Sequence, residues 1–302
     1  MTNDSAMSFA CHLCQSASGR ELFGAAGRRY RQCEHCGLIA RAVIEAAGVS
    51  AEYRNDAYQR QQAAYQLDRR EAMFQRMLDE MARLRAPGRL LDVGCGDGLF
   101  LQLAQARGWQ SSGVEPSPMA AEQARRRLLP AGQAGGGPDN RVICDELPHA
   151  HFSSGYFDAV TLFNVLDQMA APLDHLREVH RVLKPGGLLL ARVPNAAFHV
   201  GLLRLCKALE RQLIVHLYSF SAATLRALLA RAGFGEIRIR NSPLTPGDPY
   251  GISPALGETG MQWIKGTVFA GVQAMSALSG RRLLLGPSLM AQAVKSSRPG
   301  AA

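Results

Sequence analysis

Short apolar runs alternate with longer amphipathic segments through the middle of the chain. Each run is followed by glycine, proline or asparagine, which predicts a buried strand that ends in a turn. The segments between them carry apolar residues at three- and four-residue steps, which predicts helices. Strands that alternate with helices form a mostly parallel sheet with helices on both faces. The predicted strands are Leu90–Val93, Ser111–Glu115, Phe157–Phe163 and Leu188–Val193, and the predicted helices cover residues 99–104, 176–183 and 221–233.

The two flanks of this region carry further patterns. Residues 51–85 predict a helix that ends before Pro87, with Tyr53, Tyr58 and Tyr65 either packed on the core or covering a pocket. Residues 236–240 alternate like a strand, and residues 288–294 predict a last strand. Between them, a stripe of mostly apolar residues at three- and four-residue steps predicts a helix. This helix would face the core or a second subunit in a homodimer, with a membrane surface or lipid-linked substrate as the alternative. The stripe consists of Met261, Ile264, Val268, Val272, Met275 and Ser279.

Composition narrows the class of protein. The 302 residues are 47% hydrophobic and carry a formal net charge of +9, which favours anionic partners such as nucleic acid, phosphorylated metabolites or an anionic membrane surface. The first ten residues lack a basic region followed by an apolar run, and no long uncharged apolar stretch follows. We therefore expect a cytoplasmic protein whose seven cysteines are reduced thiols or metal ligands.

Four of these cysteines form two Cys-x-x-Cys pairs near the N-terminus. Eighteen residues separate Cys11 and Cys14 from Cys33 and Cys36, a spacing typical of a four-thiolate zinc site. Zn²⁺ prefers a tetrahedral shell, and four sulfur ligands leave no open position, so we predict a structural zinc ion. We expect His12 and His35, which lie inside the pairs, not to be ligands.

These patterns divide the chain into four predicted parts. Residues 1–48 form a zinc ribbon or knuckle, and residues 49–86 form a helical connector. Residues 87–242 form a Rossmann-like domain with a cap inserted at about residues 196–220. Residues 243–302 form a C-terminal extension with the amphipathic helix and a last strand.

The first predicted strand runs into a glycine-rich turn. Asp92 lies in the strand, and Gly94, Gly96 and Gly98 follow at alternate positions before an apolar helix. A strand, a glycine turn and a helix open a nucleotide-binding unit, in which glycines allow the backbone to approach the ligand. Glu115 ends the second strand, where a carboxylate can accept hydrogen bonds from both hydroxyls of a ribose.

The motifs LDVGCGDG, VEPS, FDAV, REVHRVLKPGG and VPN, in this order, resemble those of the class I methyltransferases that use S-adenosylmethionine. The resemblance covers roughly residues 90–240 and implies a Rossmann-like fold with a seven-stranded sheet, one strand antiparallel. It implies that Asp92, Gly94 and Gly96 line the methionine end of the cofactor and that Glu115 holds the ribose. The other residues implied for this site are Cys95 and Pro116 beside these, Asp145, Glu146 and Leu147 at the adenine rim, and Asn164 on the sulfonium side.

The sequence departs from the family at one place that bears on catalysis. A Glu-His pair is common after the fourth strand, and this chain has Asp167-Gln168 there instead. A base is needed only if the methyl acceptor must lose a proton. Candidates come from the segment after the fifth strand: His199, His216 and Tyr218.

The predicted function is transfer of a methyl group to an oxygen of a small metabolite, glycan or lipid intermediate, with a carbon or a nitrogen as the alternative attacked atom. One alternative is an RNA methyltransferase whose zinc module grips RNA, favoured by the basic charge. A second is a non-catalytic adaptor that binds the cofactor, favoured by Gln168. A nicotinamide oxidoreductase is disfavoured by the glycine spacing. The amine-methylating Asn-Pro-Pro-Tyr signature is absent from the sequence.

Overall fold

The computed structural model describes residues 10–25, 28–44, 70–128, 141–205, 216–242, 257–280 and 282–296. Within these ranges the chain forms two sheets and seven helices of two turns or more. Tyr53, Tyr58 and Tyr65 of the predicted connector lie outside the described residues, as does the middle of the predicted cap. None of the described helices combines the length and hydropathy of a membrane-spanning segment.

The larger sheet consists of the seven strands β4 (Arg89–Val93), β5 (Gln110–Val114), β6 (Val142–Ile143), β7 (Phe157–Phe163), β8 (Leu183–Pro194), β10 (Phe234–Asn241) and β11 (Ser288–Lys295). Their order in the sheet is β6-β5-β4-β7-β8-β11-β10. All neighbours from β6 to β8 are parallel, and β11 is antiparallel to both β8 and β10. This confirms the predicted Rossmann-like fold.

Helices cover both faces of this sheet, and serine side chains cap the N-termini of two of them. Ser117 caps the helix that begins at Pro118 by accepting the N–H of Ala120 at 3.3 Å, and Ser221 forms a capping box with Thr224. The helices are α1 (Glu71–Leu84), α2 (Leu99–Gln105), α3 (Pro118–Leu128), α4 (Pro172–Val182), α5 (Ala196–Leu205), α6 (Ala222–Arg231) and α7 (Gly257–Leu278).

The smaller sheet joins the N-terminal segment to the rest of the protein. Its strands β1 (Gly19–Ala25), β2 (Arg28–Cys33) and β3 (Ile39–Arg41) pair with β9 (Tyr218–Ser219), which belongs to the second half of the chain. Buried residues of the two regions, including Leu13, Leu38, Tyr218 and Phe220, share one hydrophobic cluster. The cysteine-bearing segment is therefore packed against the methyltransferase-like sheet.

Residues 184–187, which follow the predicted helix over residues 176–183, lie within β8 and form a bulge there. Between Phe157 and Ala159 the register of β7 against β8 shifts, because the extra residues loop out. Lys184 Nζ lies 2.8 Å from both carboxylate oxygens of Asp158. Although burial opposes it, this ion pair holds the pKa of Asp158 below its usual range. The strand thus begins at Leu183, five residues before the predicted start.

The predicted helix is present as α7, but in the part whose side chains are described the stripe is not buried against the rest of the chain, and its packing on a second subunit stays a prediction. Ser276 is buried, whereas Met275 of the predicted core stripe is 46% exposed and Leu278 is 89% exposed. Leu84, at the end of α1 and within the helix predicted over residues 51–85, is also exposed. Helix packing against a particular neighbour, which periodicity alone does not specify, decides which face is buried.

Candidate functional site

Glycines with positive φ shape the turn between β4 and α2. A Cβ on Gly94 would lie 2.3 Å from Cγ1 of Val165, and one on Gly98 would lie 2.8 Å from Cα of Ala124. Both glycines have φ between 70° and 80°, so a side chain would be strained as well as crowded. A Cβ on Gly96 would meet nothing within 4 Å. The turn therefore packs tightly below and presents open space at Gly96, where a ligand can approach the backbone.

Glu115 connects this turn to the end of β5. Its Oε2 accepts the N–H of Gly96 at 3.0 Å, and its Oε1 accepts the N–H of Ser117 at 2.9 Å. Burial raises the pKa of Glu115, and these two backbone hydrogen bonds oppose that rise. Each carboxylate oxygen keeps a second lone-pair direction for a ligand hydroxyl. The carboxylate is thus fixed beside the open face of the glycine turn.

Asp92 lies in β4 beneath the same turn. The hydroxyl of Thr161 donates to Asp92 Oδ1 at 2.6 Å, and the residue is only 3% exposed. Burial, followed by the negative charge of Glu115, raises the pKa of Asp92 to about 7 despite that hydrogen bond. A carboxyl group in this environment is held ready for a cationic ligand, which would favour its ionised form.

The raised pKa of Asp92 predicts a pH-dependent difference in stability between the wild type and Asp92→Asn. The unfolded aspartate ionises near pH 4, so its contribution to stability is complete below that pH and is lost as pH rises through about 7. Between pH 5 and pH 8 the ligand-free wild type should lose about 3 kcal/mol through this group. Asp92→Asn, which keeps the acceptor for Thr161, should lose none through it. Urea unfolding of both proteins at the two pH values measures this, and an equal change in both would contradict it.

The predicted adenine rim lies at the turn after β6. Leu147 is buried in the main core, and Asp145 Oδ1 accepts the N–H of Glu146 at 2.7 Å. Glu146 Oε2 lies 3.5 Å from Nε2 of His175. Burial lowers the pKa of His175, but Glu146 and the carbonyl of Ala171 reverse this and leave the pKa raised. Glu146 is therefore held in place from the direction of α4.

Two residues predicted beside the turn differ in orientation. Pro116 is half-buried next to Glu115. Cys95 is buried with Leu101 and Ala124. A Cβ added to Gly113 would lie 2.6 Å from the sulfur of Cys95, so the sulfur packs closely on that glycine. Burial also raises the pKa of the Cys95 thiol. The side chain of Cys95 thus belongs to the core, and only its backbone borders the turn.

Asn164 follows β7 with a φ of 60°, a left-handed conformation that asparagine tolerates better than most residues. Its Oδ1 accepts a hydrogen bond from Nη1 of Arg192 at 2.6 Å. Arg192 is 3% exposed, and its Nε donates to the hydroxyl of Ser242 at 2.8 Å. Sequence reasoning missed Arg192; the only signal was an arginine within an otherwise apolar strand.

The three candidate bases have different surroundings. Tyr218 is fully buried, and its hydroxyl donates to the carbonyl of Ala170 at 2.9 Å. Burial raises the pKa of Tyr218. Burial, followed by the electrostatic effect of His216, lowers the pKa of His199 to about 4. His199 Nε2 lies 3.0 Å from the carbonyl oxygen of Pro287. His216 is hydrogen-bonded through Nδ1 to Oδ2 of Asp167, a partner that the sequence did not reveal.

The four cysteine sulfurs converge as their spacing predicted. All four lie within 4.8 Å of one another, with 3.5 Å between Cys11 and Cys36 and between Cys14 and Cys33. A tetrahedral zinc site has sulfurs about 3.8 Å apart. All four cysteines are free of disulfides, so the donor set fits a thiolate metal site.

Each pair also supplies backbone hydrogen bonds to its first cysteine. The amides of Leu13 and Cys14 point at the sulfur of Cys11, and those of His35 and Cys36 point at the sulfur of Cys33. Although burial alone would raise it, these bonds bring the pKa of Cys33 to about 6. Among the described residues His12 and His35 are not part of the cluster, and His12 instead packs edge-on against Tyr218, with ring centroids 5.5 Å apart.

Solved structures share the fold. A SAM dependent methyltransferase from Archaeoglobus fulgidus aligns with 80% of this chain and 100% of its own, with a TM-score of 0.52 and 18% identity. The magnesium protoporphyrin IX methyltransferase of Synechocystis PCC 6803, solved with bound SAM, aligns with 84% of this chain and 99% of its own, with a TM-score of 0.52 and 14% identity. At these identities the likeness supports the fold.

Sequence relatives point in the same direction. The chain is 34% identical to a ubiquinone biosynthesis O-methyltransferase of Pseudomonas aeruginosa over 110 residues. This aligned segment covers 36% of this chain and 45% of that protein. Over 115 residues the chain is 36% identical to the protein of the same name from Xanthomonas campestris pv. campestris, 38% of this chain and 46% of the relative. The match thus spans about half the length of these curated relatives. A family model described as a methyltransferase domain matches residues 65–237, more than half of the chain, and the protein therefore belongs to the methyltransferase-domain family.

Proposed function

We propose that this protein transfers a methyl group from S-adenosylmethionine to a hydroxyl oxygen of a small molecule. The observation that carries the proposal is the carboxylate of Glu115, fixed by the N–H groups of Gly96 and Ser117 at the carboxyl end of β5. Ligands of open α/β sheets bind beyond the carboxyl ends of the strands, where the strand order reverses. In this sheet that place lies between β4 and β7, beside the glycine turn. The name of the bacterial relatives favours oxygen as the attacked atom.

The residues around this point suit the parts of the cofactor. Asp92 and the backbone of Gly94 and Gly96 would hold the methionine end, where a carboxylate attracts the ammonium and sulfonium charges. Glu115 would accept the ribose hydroxyls, with Pro116 and the backbone of Cys95 beside it. The remaining roles fall to Asp145, Glu146 and Leu147 at the adenine and Asn164 near the sulfonium.

We propose zinc as the metal of the four-cysteine cluster. Four thiolates in tetrahedral arrangement suit Zn²⁺, and a shell of four protein ligands leaves it no coordination position for substrate. The metal would stabilise the small sheet and take no part in methyl transfer.

Methyl transfer requires the acceptor oxygen to lie in line with the methyl–sulfur bond, with water excluded. Positioning of this kind can lower the barrier by about 7–11 kcal/mol. The buried floor formed by Asp92 and Thr161 keeps water from one side of the site. The sulfonium supplies the reactive methyl group when the cofactor is bound.

The test offers three kinds of acceptor to the purified protein with isotope-labelled S-adenosylmethionine. The first is a panel of phenols, catechols and hydroxylated glycans; the second is total RNA; the third is a lipid extract. We expect label on the oxygen of a member of the small-molecule panel, lost in Glu115→Ala. Label confined to RNA, with binding that weakens steeply with salt, would replace this proposal by the RNA alternative, which the net charge of +9 favours. Binding of S-adenosylhomocysteine with no labelled acceptor in any of the three would favour the adaptor alternative.

A further inference from the structure

His216 and Asp167 form a hydrogen-bonded dyad just beyond the carboxyl end of β7. Asp167 is fully buried, and its Oδ2 is bonded to Nδ1 of His216. Its Oδ1 has no hydrogen-bond partner among the residues that the structure describes. A carboxylate can only accept, so the proton of a neutral His216 resides on Nδ1 and the lone pair on Nε2. The side chain of His216 is 22% exposed, and its hydrogen bond to Asp167 engages Nδ1 and not Nε2.

The dyad stands next to the cofactor site. Asp167 is three residues beyond Asn164 in a single 3-10 turn, Leu166–Gln168. The preceding Val165 is the residue that contacts Gly94 of the glycine turn. The imidazole of His216 thus occupies the region in which the sequence showed Asp167-Gln168 and no histidine.

The four-cysteine module holds the backbone of His216 from the other side. The hydroxyl of Tyr30 on β2 donates to the carbonyl oxygen of His216 at 3.0 Å. The next residue, Leu217, donates its N–H to Asp167 O at 2.9 Å and accepts the N–H of Arg41 at 2.8 Å. After it, β9 pairs with β3, which begins three residues beyond Cys36. The position of the imidazole therefore depends on contacts with both the module and the turn after β7.

We propose that His216 is the general base of the methyl transfer and that the four-cysteine module, through Tyr30 and β3, positions it. This inference rests on the proposed function, since a hydroxyl acceptor is what gives the base a proton to remove. His216 Nε2 takes the acceptor's O–H proton while the oxygen forms a bond to the methyl carbon. The carbon–sulfur bond breaks with its electron pair going to sulfur, and S-adenosylhomocysteine is left. Asp167 stabilises the imidazolium, which later releases its proton to solvent.

The charged and titratable groups that face His216 fit this role. Asp167 faces it from the turn after β7, Tyr30 from β2, and His199 from α5, with Arg192 of β8 acting in turn on His199. The low pKa of His199, about 4, keeps that neighbour uncharged at neutral pH. Its Nε2 faces Pro287 O, and the hydroxyl of Tyr218 is committed to Ala170. His216 is thus the one of the three candidates that is hydrogen-bonded to a carboxylate and has a partly exposed side chain.

The first experiment compares His216→Gln and Asp167→Asn with the wild type, using catechol and the more acidic 4-nitrocatechol as acceptors. With catechol we expect kcat to fall roughly 100-fold or more in His216→Gln, with affinity for S-adenosylhomocysteine within about twofold of wild type. With 4-nitrocatechol, already ionised at neutral pH, the loss should be much smaller. His180→Gln, a half-buried imidazole on α4, should behave as wild type. An equal loss with both acceptors would assign His216 a structural role and overturn the proposal.

The second experiment needs no acceptor. In wild type labelled with ¹⁵N-histidine, His216 should show a proton on Nδ1 and a lone pair on Nε2 near pH 7.5, and Tyr30→Phe should broaden or shift this signal. With an active acceptor, Tyr30→Phe should lower kcat roughly threefold to tenfold with little change in KM, while Tyr156→Phe should not. A proton on Nε2, or an identical spectrum in Tyr30→Phe, would overturn the proposal. A wild type that binds no S-adenosylhomocysteine would instead overturn the proposed function.

Discussion

Replacement of Glu115 by alanine is expected to weaken the binding of S-adenosylhomocysteine by about 100-fold or more. Under the proposed function the variant would lose an acceptor for two ribose hydroxyls, and hydrogen bonds to a charged group are worth roughly 1.5–3 kcal/mol each. It also frees the N–H of Gly96, so the glycine turn loses the contact that fixes its open face. Calorimetric titration of wild type and variant measures the change.

The control for this experiment is Glu122→Ala. Glu122 lies on α3, with half of its side chain exposed, and it pairs only with arginines of the same helix among the described residues. We expect its affinity to equal that of the wild type. Glu115→Gln should fall between the two, because the amide keeps one acceptor. An affinity in Glu115→Ala within threefold of the wild type would remove Glu115 from the ribose site.

Loss of one cysteine ligand should give the largest change in stability. In Cys11→Ser we expect one zinc ion per chain to be lost and the unfolding temperature to fall by about 10 °C or more, because structural zinc supplies folding free energy directly. The effect should reach His216, since β3 and Tyr30 belong to the same small sheet. Metal analysis and thermal unfolding measure the two changes.

Cys144→Ser is the matched control, because Cys144 is a half-buried free thiol outside the cluster. It should keep its zinc and unfold near the wild-type temperature. A Cys11→Ser protein with a full zinc content and an unchanged unfolding temperature would contradict the metal site.

The sequence was sufficient to predict the parts of the fold that local chemistry determines. Buried runs that end in turns located β4, β5 and β7, and the pattern over residues 288–294 located the late strand β11. The orientation of α7 was not predictable in the same way, because the apolar stripe does not indicate that Ser276 is buried while Met275 is exposed.

In the candidate site, too, the local motifs were predictable and the contacts between distant residues were not. The cysteine pairs, the glycine turn and Glu115 are short motifs whose spacing carries their geometry. The dyad joins residues 49 positions apart, and Tyr30 reaches His216 across 186 positions. Such contacts follow from the pairing of β3 with β9, which a two-residue strand without any alternating pattern does not reveal.

The most direct measurement of the central claim is the titration of zinc-loaded wild-type protein with S-adenosylhomocysteine and, separately, with NADH. We expect one S-adenosylhomocysteine to bind per chain with micromolar affinity, and NADH not to bind measurably, because the glycine spacing of residues 94–98 differs from that of dinucleotide-binding turns. Binding of NADH in preference to S-adenosylhomocysteine, or of neither by a folded protein, would contradict the site described here.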